Sequence, residues 1–140
     1  MNRDFKILNI DHIGIAVKSI EKTKDFFEEI LGMHSNKTEF VKEENVLVEK
    51  VDVENSSSKI ELIESMEATS VINRFISKKG EGIHHIALEI DNIHNAIDYL
   101  IDNKIKLIYE KPKLGSDNKL ITFIHPAFTS GVLIELCQKQ

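Results

Sequence analysis

The sequence predicts an α+β fold made of two tandem βαβββ modules. Three observations predict it. First, Ile83-His84-His85-Ile86-Ala87-Leu88-Glu89-Ile90 repeats the earlier stretch Asp11-His12-Ile13-Gly14-Ile15-Ala16-Val17. With His85 set on His12, Ile86 falls on Ile13, Leu88 on Ile15, Ile90 on Val17, Ile93 on Ile20, Asp98 on Asp25 and Leu100 on Phe27. Second, Lys59-Ile60-Glu61-Leu62-Ile63 returns near the end as Leu133-Ile134-Glu135-Leu136-Cys137. Third, the periodicity reads strand, helix, strand, strand, strand, and then the same order again. A repeat of this length implies duplication and pseudo-twofold packing.

Residues 7–17 read as a strand, with Ile13, Ile15 and Val17 on one side and Ile10, His12, Gly14 and Ala16 on the other. Ser19 is placed to cap a helix whose stripe is Ile20, Phe26, Phe27, Ile30 and Leu31, and Gly32 ends it. Residues 36–42 form a weaker strand, 46–53 a stronger one, Asn55-Ser56-Ser57-Ser58 a turn, and 59–64 the next strand. A connecting helix spans about 67–78, with Val71, Ile72, Phe75 and Ile76 at helical spacing. The second round is a strand at 83–90, a helix at 93–103, a short strand near 106–109, a loop marked by Pro112 and Gly115, and strands at 119–125 and 131–137.

The whole chain, 1–140, reads as a single domain: module one at about 7–64, the linker helix, and module two at about 83–137. Each module alone would be marginal, because a unit of ~60 residues buries too little surface. With 41% hydrophobic and 29% charged residues the composition is that of a soluble globular protein. A net charge of −5 argues against a nucleic-acid partner. The lone Cys137 excludes an intrachain disulfide and reads as a small packed residue. With no apolar run of membrane-spanning length and no signal-like N-terminus, the expected location is the cytoplasm.

His12 shares its strand face with Gly14 and Ala16, and His85 with Ala87. Each module thus carries one histidine on its first strand and one glutamate, Glu61 or Glu135, near its end. If the modules pack by a pseudo-twofold, the four side chains converge in one cleft. Two imidazoles and two carboxylates suit a borderline divalent cation such as zinc, nickel, cobalt or manganese. A buried carboxylate without a partner is costly, so four such residues at matching places are more easily explained by a cation than by chance.

These stretches, with Lys111-Pro112-Lys113-Leu114-Gly115, Phe123-Ile124-His125-Pro126 and Gly131-Val132-Leu133-Ile134-Glu135-Leu136, resemble the vicinal-oxygen-chelate superfamily over nearly the whole chain. Within it the chain is most similar to the methylmalonyl-CoA epimerases. The resemblance implies a cupped mixed sheet around a metal site of the glyoxalase type, with His12, Glu61, His85 and Glu135 as ligands. It also implies an acyl-CoA substrate and a homodimer. Glu61 departs from epimerases that carry Gln there, and makes the ligand set equally like that of lactoylglutathione lyase.

The implied reaction is epimerisation of methylmalonyl-CoA by α-proton removal and return through a metal-stabilised enolate. Glu49 is a candidate base, sharing its strand face with Leu47, Val51 and Val53, or else it faces water. The resemblance also points to Glu49, and suggests Glu135 as the second base. Lys111, Lys113 and Lys119 either meet coenzyme A phosphates or are solvated loop lysines, and His125 either lines the cleft or shapes its turn. The alternatives are isomerisation of a thiol hemithioacetal, as in lactoylglutathione lyase, and a metal-free protein that holds a small ligand.

Overall fold

The structure, a computed structural model, describes residues 3–140. Its elements are β1 (Ile7–Ala16), α1 (Ile20–Asp25), β2 (His34–Ser35), β3 (Glu39–Val41), β4 (Val46–Asp52), β5 (Lys59–Ser65), α2 (Val71–Lys79), β6 (Gly82–Ile90), α3 (Ile93–Asp102), β7 (Lys113–Leu114), β8 (Leu120–Ile124) and β9 (Ile134–Gln138). They fall into two compact units: His12–His84, and the N-terminal segment ending at Asp11 together with His85–Gln140. The chain therefore changes unit within β1, at Asp11/His12, and again within β6, at His84/His85.

In the His12–His84 unit, β1 pairs parallel with β5, β5 antiparallel with β4, and the short β2 and β3 lie antiparallel along β4. One side of this sheet buries Val17, Ile20, Val51 and Leu62 with Ile15, Phe27 and Leu47. The other side buries Ala16, Val46, Val48 and Ile63 against Ile72, Phe75 and Ile76 of α2. Ser19 caps α1, its hydroxyl accepting from the Lys22 N–H at 3.3 Å, and Glu64 Oε1 accepts from the Ile20 N–H at 2.7 Å. Two orphan donors at the helix start are thereby satisfied.

The helix departs from its predicted stripe. After Asp25 it widens into a π-helix over Phe26–Ile30, with Leu31 N donating to Phe26 O at 3.1 Å. The extra residue in the turn shifts the phase of every later side chain. Phe27 packs inward, while Phe26 and Ile30 are left 53% and 71% exposed. The predicted strand at 36–42 shortens to β3, which pairs with the Val46–Val48 end of β4, and a separate two-residue β2 ahead of it pairs with the Val51–Asp52 end. The connecting helix begins only at Val71, where Ser70 Oγ accepts from the Asn73 N–H at 3.2 Å.

In the other unit, β6 pairs parallel with β9, β9 antiparallel with β8, and β8 antiparallel with β7. Ile90, Ile93, Ala96, Ile97, Leu107 and Leu136 form its core under α3. The N-terminal segment is pinned there: Lys6 N donates to Asp91 Oδ1 at 2.7 Å, and Phe5 packs edge-on to Tyr99 at 5.7 Å. The expected strand near 106–109 reduces to one bridge, Leu107 to Ile124. A two-residue strand, β7, appears instead in the expected loop. Its turn needs Gly115, where an added Cβ would lie 2.9 Å from Ile121 Cγ2. The last strand starts at Ile134 rather than 131, after a turn with Ser130 at φ 56° and Gly131 at φ 87°.

Among the described residues no helix is long and apolar enough to cross a membrane. His84 packs edge-on to Phe75 at 5.0 Å. Burial, and then the Lys79 charge, push its pKa down from 6.5 to about 4. Between these values the unfolded chain binds a proton that the folded chain refuses, so stability rises with pH through the window and is lost as pH falls through it. Urea unfolding at pH 7 and pH 4.5 should show wild type losing more stability than His84→Leu on acidification; parallel losses would contradict this reading.

Candidate active site

The two parallel strand pairs place histidine and glutamate in the same register. On β1 and β5, Gly14 lies beside Glu61, and His12 is two residues before Gly14. On β6 and β9, Ala87 lies beside Glu135, and His85 is two residues before Ala87. Paired residues on adjacent strands share a face, as do residues two apart on one strand. The small side chain at position 14 or 87 leaves the glutamate room to lean towards the histidine. His12 Nδ1 lies 3.2 Å from Glu61 Oε2, and His85 Nε2 lies 3.5 Å from Glu135 Oε1. His12, Glu61, His85 and Glu135 are all buried.

Within the His12–His84 unit, Glu61 Oε2 makes no hydrogen bond, although it is buried and close to His12. Buried carboxylate oxygens are normally satisfied, so an unsatisfied one calls for an explanation. Lys50 lies directly across from Glu61 on β4 and is also buried. Its Nζ is 3.6 Å from Glu39 Oε1. In the other unit the residue across from Glu135 is Phe123, whose ring meets His85 edge-on at 5.7 Å. Tyr109 packs on Phe123 at 6.0 Å, and the Lys113 ammonium sits 4.0 Å above the Tyr109 ring centroid. Cys137 is fully buried beside Ala87, Ile121 and Phe123, as a packed residue.

Glu49 is placed differently from its expected role. It is in register with Leu62, not with Glu61, so it lies on the opposite face of the sheet from His12 and Glu61. That face is the one covered by α1. The Glu49 carboxylate is buried there and accepts hydrogen bonds from Ser35 Oγ and, at 2.6 Å, from Thr38 Oγ1. Lys24 Nζ stands 3.8 Å away. The β4 residue on the face of Glu61 is Lys50, which alternation alone does not reveal, because β4 is apolar on both sides.

Four other residues also have defined positions. Lys119 is a buried residue rather than a solvated one, with its Nζ 2.8 Å from Asp11 Oδ2. His125 shapes its turn: Nδ1 accepts from the Ala127 N–H at 3.0 Å and caps the single 3₁₀ turn Pro126–Phe128. Lys111 is exposed, and so is Lys113 apart from its tyrosine contact.

The sequence matches the Glyoxalase/Bleomycin resistance protein/Dioxygenase superfamily over residues 11–123. It is 41% identical over 132 residues to the uncharacterized protein YqjC of Bacillus subtilis, covering 92% of this chain and 91% of that one. It is 37% identical over 130 residues to the mitochondrial methylmalonyl-CoA epimerase of Homo sapiens, covering 92% and 73%. The fold superposes on a Streptomyces coelicolor methylmalonyl-CoA epimerase variant in complex with 2-nitronate-propionyl-CoA with a TM-score of 0.90, at 30% identity and covering 96% of both chains. A superfamily match across most of the chain, relatives of this identity and a shared fold lead to one conclusion: the chain belongs to the glyoxalase/bleomycin-resistance/dioxygenase superfamily, in the branch that holds the methylmalonyl-CoA epimerases.

Proposed function

We propose that this protein is a methylmalonyl-CoA epimerase, which removes the α-proton of the thioester and returns it to the other face. The observation that carries the reading is the doubled histidine–glutamate register, each pair buried and each beside a small residue. Relatives and solved structures that are methylmalonyl-CoA epimerases support it.

The donor set fits a divalent cation. Imidazole nitrogens and carboxylate oxygens are the ligands of borderline metals, and the unsatisfied buried Glu61 oxygen is accounted for by a positive partner. His12, Glu61, His85 and Glu135 are the residues proposed to hold it. When bound, such a cation supplies Lewis-acid stabilisation of the negative charge that develops on the thioester oxygen. The chain's own residues do the rest. Phe123, packed edge-on against His85, fixes the imidazole plane and keeps water from that side of the ring. Glu135 is the proton carrier proposed for one face of the planar intermediate. Glu49 is left out of proton transfer, since its carboxylate is held on the helix-covered face by Ser35 and Thr38.

The deciding test is solvent exchange. Incubated with methylmalonyl-CoA in deuterated water, the cobalt-reconstituted protein should replace the α-proton by deuterium, followed by NMR. No exchange, together with turnover of the methylglyoxal–glutathione adduct, would put the lyase reading in its place. Metal binding is tested apart from activity. Cobalt(II) at a hundred times its dissociation constant should stabilise the fold by about 2.7 kcal/mol, and His12→Ala should abolish most of that shift; an unchanged shift would remove His12 from the ligand set. For Glu49→Gln the exchange rate should stay within about threefold of wild type. Its unfolding free energy should drop by roughly 1–3 kcal/mol, because charge-assisted hydrogen bonds are weakened in a buried place. A hundredfold loss of exchange at unchanged stability would restore Glu49 as a base.

A further inference from the structure

His85 sits at the inner end of a row of edge-on rings that runs outward to a charge. Phe123 meets the His85 ring at 5.7 Å with an interplanar angle of 88°. Tyr109 meets Phe123 in turn, at 6.0 Å and 71°. The Lys113 ammonium stands 4.0 Å from the Tyr109 ring centroid. Exposure rises along the row: His85 and Phe123 are buried, Tyr109 is half-buried and Lys113 is exposed. All four belong to the unit that holds His85–Gln140. Strand pairing explains their order. Lys113 on β7 lies across from Ile121 on β8, two residues before Phe123, so the three share a face. The backbone around Tyr109 is tied to the same strand: Ile108 N donates to Phe123 O at 2.8 Å, and Thr122 Oγ1 donates to Tyr109 O at 2.5 Å.

The torsion that turns a histidine, phenylalanine or tyrosine ring has broad wells, so the neighbours decide the plane of the ring. An imidazole ligates a cation only when a ring nitrogen points at it, and outer partners commonly set that direction. We infer that Tyr109, anchored by Lys113, is a positioning residue: it fixes the plane of Phe123, and through it the aim of the His85 imidazole. Edge-on pairs suit this task, because the positive rim of one ring prefers the negative face of the next. A lysine suits the outer end, because its ammonium is drawn to the face of a tyrosine ring while staying in water. The inference rests on the proposed ligand set and adds the residues that orient one of its members.

The test reads the ring before any metal is added. In the metal-free protein, the His85 ring signals in a proton–carbon NMR spectrum are assigned by their loss in His85→Gln. Tyr109→Leu and, to a smaller extent, Lys113→Met should move them, with His34 and His94 as unmoved references. Tyr109→Phe and Lys113→Arg keep the ring and the cation and should restore the wild-type positions; they also cover a Leu or Met variant that folds poorly. Cobalt(II) titration then reads the consequence. Tyr109→Leu should weaken binding about 3- to 10-fold, the range of one lost edge-on ring contact, and change the cobalt absorption spectrum; Tyr109→Phe should do neither. Leu133 packs against the same buried cluster as Tyr109 and Phe123. Leu133→Ala should therefore lower stability and leave the His85 signals in place. If Tyr109→Leu or Lys113→Met leaves those signals unmoved, or if Leu133→Ala moves them equally, the row serves only the core. The inference is then overturned while the ligand set stands. Should wild type bind no cobalt, the ligand set falls and takes this inference with it.

Discussion

The parallel pairing of a first strand with a last strand is the constraint on which the rest of the structure depends. In each unit it sets a histidine and a glutamate on one face, two residues out of register, with glycine or alanine between them. Parallel pairing requires a long crossover, and the helix and the intervening strands of each unit provide it. The crossover also fixes which side of the sheet is covered by a helix and which is left for chemistry. In the His12–His84 unit, α1 takes the face of Leu62 and Val51. The face of His12 and Glu61 is closed by α2 only at its far end, around Ala16 and Ile63.

The units keep this plan but give it different electrostatics. Around Glu135 the surroundings are aromatic, with Phe123 and Tyr109 in edge-on contact. Around Glu61 they are polar, with Lys50 and Glu39 close by. The remaining buried lysine, Lys119, is matched by Asp11 at 2.8 Å, which keeps that part of the interior close to neutral. The two frames are alike in strand pairing and differ at single positions: Lys50 opposes Glu61, and Phe123 opposes Glu135.

Much of this was readable in the chain itself. The histidine and glutamate spacing stands out because strand alternation has a period of two and the repeat preserves it. The Ser19 cap and the start of its helix were legible from capping chemistry alone, whereas the start of α2 was expected at about 67, ahead of the Ser70 cap that sets it. What stayed hidden depends on partners distant in sequence. β4 has apolar residues on both faces, so nothing local distinguishes the side of Glu49 from that of Lys50; the pairing with β5 decides it. The π-helix at Phe26–Ile30 and the short β7 likewise follow from packing rather than from local propensity. His125 was ambiguous because a histidine before proline suits both a turn cap and a cleft wall, and the ring nitrogen is committed to the turn.

The burial of Glu49 has a consequence at the margin of the sheet. Its carboxylate ties down Ser35 and Thr38, at the end of β2 and in the segment that follows. That tether sits where β2 is only two residues long and its row of open amides is short. A brief border is a poor template for a foreign strand. The buried charge thus organises the ordered segment at this rim, on the face opposite His12 and Glu61.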